Sequence, residues 1–554
     1  MKFKFPACLL LSFFFTVPAF TAAAQDAPAA SAITTNDVMV AEKLFGLDLP
    51  ADKLRMMLSG LRAQQRDYAV IRQIGVSNSV LPAVLFNPIP TGMTFETKRL
   101  KPEWSPVPKM TAPARLEDAA FYSVEQLAAL LKSRQITSVQ LTGMYLDRLK
   151  KYGPKLNCVV TLMEDSALAQ ARRADQEIAA GHYRGPLHGI PYGVKDLLAT
   201  QGTRTTWGAA PYTNQMFDDD ATVVKRLNAA GAVLVAKLSL GELAMGDVWF
   251  GGQTRNPWDP ARGSSGSSAG PAAATSAGLV GFAIGSETRG SIVSPCTVCG
   301  VTGLRPTYGR VSRTGAMSLS WTMDKLGPIC RTVEDCALVF NVIQGPDGID
   351  PTLYDLPFNY KAKMNLSKLR IGYLKSVFDR SPNNTNDLAA LEKLRSLGAK
   401  LIPLEVPKYP KEIDALLLEV EAAAAFDELT RSGQDAQLAS QQAWAWPNSM
   451  RQARFVPAVE YLRAQQVRAQ LIAQMARLLQ DIDAYVTPTM DDNDLGLTNL
   501  TGHPQVVVPD GFRNGLPTSI SFVGKLFGEA DVLAVAKAYQ DATGFHLQHP
   551  TLGQ

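Results

Sequence analysis

The sequence is short of sulfur and imidazole: its 554 residues hold 6 cysteines and 5 histidines. Cys8 lies near the N-terminus, and Cys158, Cys296, Cys299, Cys330 and Cys336 are an odd set spread through a long chain, which excludes a disulfide framework. Cys296 and Cys299 form a C-x-x-C. The pair Cys330 and Cys336 has a wider spacing and no histidine lies near, so buried small hydrophobes are the reading taken, over a zinc or redox site. An excess of one charge is missing too, since 55 Lys and Arg against 51 Asp and Glu leave +4. No basic cluster is interleaved with aromatics, so nothing signals nucleic acid. Long apolar runs are absent except at the start, where Pro6 to Phe20 falls short of the roughly 20 residues of a membrane anchor.

That first run has a specific reading. Lys2 and Lys4 precede it and Ala22-Ala23-Ala24 follows, the layout of a secretory signal cleaved before Gln25. Cys8 sits inside the run rather than at its end, against a lipoprotein. The expectation is a mature periplasmic or secreted protein lacking residues 1–24 and any stable membrane anchor. Residues 25–81 form an expected helical arm, in which Ala51 to Gln73 places Leu54, Met57, Leu58, Leu61, Tyr68 and Ile71 at helical spacing and predicts a packed helix. Seven prolines between Pro82 and Pro113 predict an extended connector over 82–115. The main domain is expected over 116–554. Hydrophobic content of 46% and charged content of 19% suit a globular protein, and the length fits several small domains or one large α/β unit.

Ser123 with Gln126, and Thr137 with Gln140, are capping boxes that predict helices to about Lys132 and Lys151. Ala167 to Ala180 is a third helix. Ile190, Tyr192 and Val194 then alternate into Lys195, a buried strand ending on a charge. Asp218-Asp219-Asp220 is read as the cap of a helix Ala221 to Ala230 rather than as a metal cluster. Val233 to Lys237, Arg370 to Leu374, Lys400 to Leu404, Tyr485 to Pro488, Val506 to Pro509 and Thr518 to Val523 are further strands. Helices are expected at Asp387 to Leu397, through most of Ile413 to Ile482, and from Glu529 to Thr543 with Gly544 as the stop. Strands alternating with helices predict an α/β fold with mixed or parallel pairing.

The stretch Gly263 to Ser291, GSSGSSAGPAAATSAGLVGFAIGSETRGS, sets two Gly/Ser turns around an apolar small-residue segment from Ala272 to Ile284. A linker would sit among polar residues, so this stretch is expected to be built into a core. Two residue types in it and near it bear on chemistry. Lys195 alone reads first as a snorkelling side chain or salt-bridge partner, and second as a base, because burial disfavours the ammonium. Most of Ser264, Ser265, Ser267, Ser268 and Ser291 are expected to satisfy backbone groups. Gly266 to Gly270 also matches G-x-S-x-G, which would make Ser268 an esterase nucleophile. That reading needs a preceding strand, which NPWDPARGS does not resemble, and a partner from His182, His188, His503, His546 and His549.

The segments GIPYGVKDLLAT, NPWDPARGSSGSSAG and GSETRGSIVSPCTVCGVTGLRPTYGRVSRTG resemble, in order and spacing, the amidase signature family of serine hydrolases. The likeness runs from about Phe121 to the C-terminus and includes NLTGHPQVVVP and GLPTSISFVG. It implies an α/β/α fold, a central mixed twisted sheet covered by helices on both faces. It also implies hydrolysis of a carboxylic amide C–N bond by a Ser-Ser-Lys triad through an acyl-enzyme, with a small-molecule amide as substrate and no cofactor or metal. Ser291 corresponds to the nucleophile, Ser267 to the bridging serine and Lys195 to the general base, with the Gly266 to Ser267 peptide bond expected to be cis. The oxyanion hole maps to the backbone N–H groups of Thr288, Arg289, Gly290 and Ser291. Arg289 stands where the family usually has glycine, and Ala269 replaces another glycine. A second implied reading is the glutamine-hydrolysing subunit of a tRNA-dependent amidotransferase, which works with partner subunits in the cytoplasm; the leader argues against it.

Overall fold

The computed structural model describes residues 33–74, 76–381 and 384–552. The leader expected at 1–24 lies outside the described residues. The chain divides into two compact units, Met1–Gly75 and Val76–Gln554. In the first, Thr34 and Asp37 form a reciprocal capping box that opens the helix Thr35–Glu42. The helix Ala51–Gln73 follows with the predicted limits. Its predicted packing does not: Leu54 is buried, whereas Tyr68 is 49% and Ile71 63% exposed. Leu58 and Leu61 are half-buried and Met57 is exposed; helical spacing specifies the helix, but burial needs a matching face, and among the described residues one covers only part of this stripe.

Among the described residues the second unit is built on thirteen strands: β1 (Val159–Leu162), β2 (Pro191–Lys195), β3 (Val233–Leu238), β4 (Val248–Trp249), β5 (Gly252–Gln253), β6 (Phe282–Glu287), β7 (Thr302–Arg305), β8 (Lys325–Cys330), β9 (Arg370–Leu374), β10 (Lys400–Leu404), β11 (Ala484–Pro488), β12 (Gln505–Arg513) and β13 (Leu516–Gly524). Eleven of them form one sheet in the order β1-β3-β2-β6-β8-β7-β12-β13-β11-β9-β10, and β4 and β5 pair separately. Pairing is parallel for β3-β2-β6 and for β11-β9-β10. The remaining pairs, through the middle of the sheet and at β1, are antiparallel. The expected mixed α/β architecture with helices flanking a central sheet is therefore the observed one.

Alternation along the strands divides the core between the two faces. Leu234, Phe282 and Ile284 pack in one cluster, while Val233, Val235 and Ala283 pack in another. The stretch is built into the core as expected: the segment Ala272 to Ile284 is divided between the buried helix Ala269–Ser276 and β6. All five described cysteines are free and buried, as small hydrophobes. The capping boxes at Ser123 and Thr137 are present, and the helix Glu529–Thr543 ends on Gly544 at φ +73°.

The acidic triplet is a correction. The helix begins at Thr222 behind Ala221, which offers no side-chain cap. Asp220 instead accepts from the Gln201 N–H at 2.8 Å, and Asp219 pairs with Lys225. The carboxylates turn to these nearer donors, because the intervening alanine occupies the cap position. No group of three His, Cys, Asp or Glu among the described residues could hold a metal ion. No described helix is long and apolar enough to cross a membrane.

Candidate active site

Parallel pairing of β2 with β6 sets Val194 beside Ile284. Lys195 and Glu287, the last residues of these strands, therefore emerge at one edge of the sheet, where α/β sheets commonly place ligands. The loop before the helix Ala269–Ser276 carries Ser267, and the loop after β6 carries Ser291 into the helix Val293–Cys299. The two loops are joined directly, since the Ser268 N–H donates to the Ser291 carbonyl at 3.1 Å.

Lys195 is fully buried. Its Nζ donates to Ser267 Oγ at 2.7 Å and to Ser286 Oγ at 2.9 Å. Burial draws its pKa down to about 7, against the opposing pull of Asp324 and Glu287. Asp196 turns elsewhere: its carboxylate lies 3.1 Å from Lys237 Nζ and accepts from the Thr206 N–H. Lys195 is thus a buried amine on two hydroxyls, neither a snorkelling side chain nor the partner of a carboxylate within hydrogen-bond reach.

The Gly266–Ser267 peptide bond is cis. Two glycines make room for this loop. A Cβ on Gly266 would stand 1.8 Å from the Gly246 carbonyl oxygen, and one on Gly285 would stand 2.7 Å from Ser268 Oγ. Ser268 is fully buried. Its hydroxyl donates to the Ser286 carbonyl at 3.0 Å and accepts from the Ser286 N–H at 3.1 Å. None of its hydrogen-bond partners among the described residues is a histidine, so the geometry counts against the esterase reading.

Ser291 is 9% exposed, and its hydroxyl enters no hydrogen bond among the described residues. The loop before it is held by the Glu287 carboxylate. One oxygen accepts from the N–H groups of Ile292 and Val293. The other takes Arg305 and Asn499, each at 2.9 Å. Burial would raise the Glu287 pKa, but the charges of Arg305 and Lys325 and these amide bonds outweigh it and hold the group at about 2. Thr288 Oγ1 donates to Asp324 at 2.6 Å, which fixes the other end of the loop. Gly290 has φ +84°. Among the described residues, the N–H groups of Thr288, Arg289, Gly290 and Ser291 donate to no acceptor. Four free consecutive amides on a braced loop can take charge that develops on a substrate oxygen.

Sequence reasoning missed Ser286, Glu287, Asp324, Arg305 and Asn499. Ser286 and Glu287 stood inside a recognised motif, and a carboxylate at the end of an apolar strand was itself a signal that a partner was needed. Nothing local marked the others.

The sequence profile of the family described as Amidase matches residues 140–533. The chain belongs to the amidase family, the amidase signature hydrolases. The A-type subunit of the glutamyl-tRNA(Gln) amidotransferase of Methylococcus capsulatus is 35% identical over 479 residues, covering 77% of this chain and 98% of its own. That of Geobacillus kaustophilus is 36% identical over 485 residues, covering 78% and 99%. The native peptide amidase of Stenotrophomonas maltophilia superposes with a TM-score of 0.71 at 30% identity, covering 79% of this chain and all of its own. This amidase is accordingly a hydrolase acting on amide C–N bonds.

Proposed function

We propose that this amidase cleaves its substrate with Ser291 as nucleophile, Ser267 as proton relay and Lys195 as general base. The observation that carries the reading is the 2.7 Å contact of a fully buried Lys195 Nζ with Ser267 Oγ. The neutral amine takes the Ser267 proton as Ser267 takes that of Ser291, and Ser291 Oγ bonds to the amide carbon. The resulting oxyanion is met by the N–H groups of Thr288, Arg289, Gly290 and Ser291. Each such donor typically contributes about 3 kcal/mol in the transition state. The reverse relay protonates the departing nitrogen, so ammonia or an amine leaves. Water then attacks the acyl-enzyme by the same route, and the acid is released.

The pH dependence follows from Lys195. Its amine is protonated below about 7 and free above it, so kcat/KM rises with pH through a limb near 7 and then levels. A profile flat from pH 5 to 9 in the presence of saturable hydrolysis would remove the lysine as base.

Two settings share this chemistry. The run Pro6 to Phe20 with its Ala22-Ala23-Ala24 supports an exported enzyme acting alone on a small amide. The names of both curated relatives support the other setting, an A-type subunit that hydrolyses glutamine beside partner subunits, and their likeness to this chain favours it over the exported enzyme. Fractionation of the native host separates them. A chain beginning near Gln25 outside the inner membrane, active without a partner, supports export. A chain with Met1 intact that co-purifies with other subunits and needs glutamine supports the amidotransferase setting.

A further inference from the structure

Arg289 departs from the glycine usual at its position, and its guanidinium is held by two carboxylates. Nε donates to Asp414 Oδ2 at 2.5 Å and Nη2 to Asp492 Oδ1 at 2.6 Å. Asp414 is 2% exposed and lies on the helix Glu412–Ala425. Asp492 opens the helix Asp492–Thr501 and also takes Lys411 Nζ at 2.7 Å. That second helix bears on the loop at two more places. Leu495 Cδ2 lies 3.1 Å from where a Gly290 Cβ would be, and Asn499 donates to Glu287. The guanidinium is committed to two carboxylates, so a third, from a substrate, would find its charge already neutralised.

We propose that Arg289 is a positioning residue, whose side chain ties the loop 288–291 to the helices Glu412–Ala425 and Asp492–Thr501 and so keeps its four free N–H groups aimed at the developing oxyanion. The inference rests on the Ser291 reading above. Its physical basis is that oxyanion donors act only if they are fixed before the charge appears. Gly290, at φ +84°, gives the loop a point of easy rotation. Arg289 braces the residue beside it.

The test compares wild type, Arg289→Ala, Arg289→Lys and Asp492→Asn by the rate of phosphonylation with a fluorophosphonate, whose phosphoryl oxygen occupies the oxyanion position, together with kcat, KM and the thermal midpoint. Arg289→Ala is expected to slow phosphonylation and kcat together by about 10- to 100-fold, the scale of a small misplacement of catalytic groups, with KM within about 3-fold. Arg289→Lys recovers part of the loss. Asp492→Asn gives a smaller loss, because the contact of Arg289 with Asp414 remains. Should Arg289→Ala be unstable, Asp492→Asn, altered at a half-exposed carboxylate, carries the test alone. Phosphonylation within 2-fold of wild type in the folded variants overturns the proposal, as does a raised KM at unchanged kcat, which would make Arg289 a substrate contact. Wild type that takes no label on Ser291 overturns the Ser291 reading first and this inference with it.

Discussion

Ser291→Ala is expected to lower kcat/KM for amide hydrolysis by about 10⁴-fold or more, because no acyl-enzyme can form and what remains is oxyanion stabilisation and binding alone. The hydroxyl is free of hydrogen bonds among the described residues, so its removal leaves no buried group unpaired and the thermal midpoint stays near that of wild type. Ser268→Ala behaves in the opposite way. It strips a partner from both the N–H and the carbonyl of Ser286, which costs about 1–3 kcal/mol of stability, while activity survives in the fraction that folds. Steady-state kinetics beside denaturant unfolding of the two variants checks both halves. Loss of turnover in Ser268→Ala with retention in Ser291→Ala would reverse the assignment.

Lys195→Ala is expected to cost about 10²- to 10⁴-fold in kcat/KM, the usual range for a general base. A cavity at a fully buried site could mimic that loss through misfolding. Lys195→Met fills the same space with an unbranched chain and is expected to melt close to wild type and yet remain as inactive as the alanine variant. Both variants should also lose the pH limb near 7. A Met variant with wild-type turnover would mean that Lys195 serves only to pack Ser267 and Ser286.

Much of this was legible in the sequence, for physical reasons that can be named. Capping boxes at Ser123 and Thr137 and the stop at Gly544 are local hydrogen-bond chemistry, and they stand where they were expected. The strands Arg370–Leu374 and Lys400–Leu404 have the observed limits. The short strands β1, β7 and β8 escaped notice, because runs of four to six residues that mix apolar with Thr, Gly, Lys or Arg carry no distinctive period. For the site, Lys195 at the end of an apolar strand was visible as an oddity, and the likeness of three motifs gave it companions. The loop's supports were not visible. Asp414 lies 125 residues from Arg289 in sequence, and Asn499 lies 212 from Glu287. Such pairs come together only when the sheet brings β6 near the helices that follow β10 and β11. The partly exposed stripe on Ala51–Gln73 is the converse case, a periodic pattern that fixed a helix and said nothing about what would cover Met57, Tyr68 and Ile71.

The role of Ser291 as nucleophile is tested by reaction of the purified protein with a fluorophosphonate, followed by peptide mass spectrometry of the adduct. One modified residue, Ser291, is expected, with no labelling of Lys195→Ala on the same time scale. An adduct on Ser268, or none on wild type that still hydrolyses an amide, would contradict it.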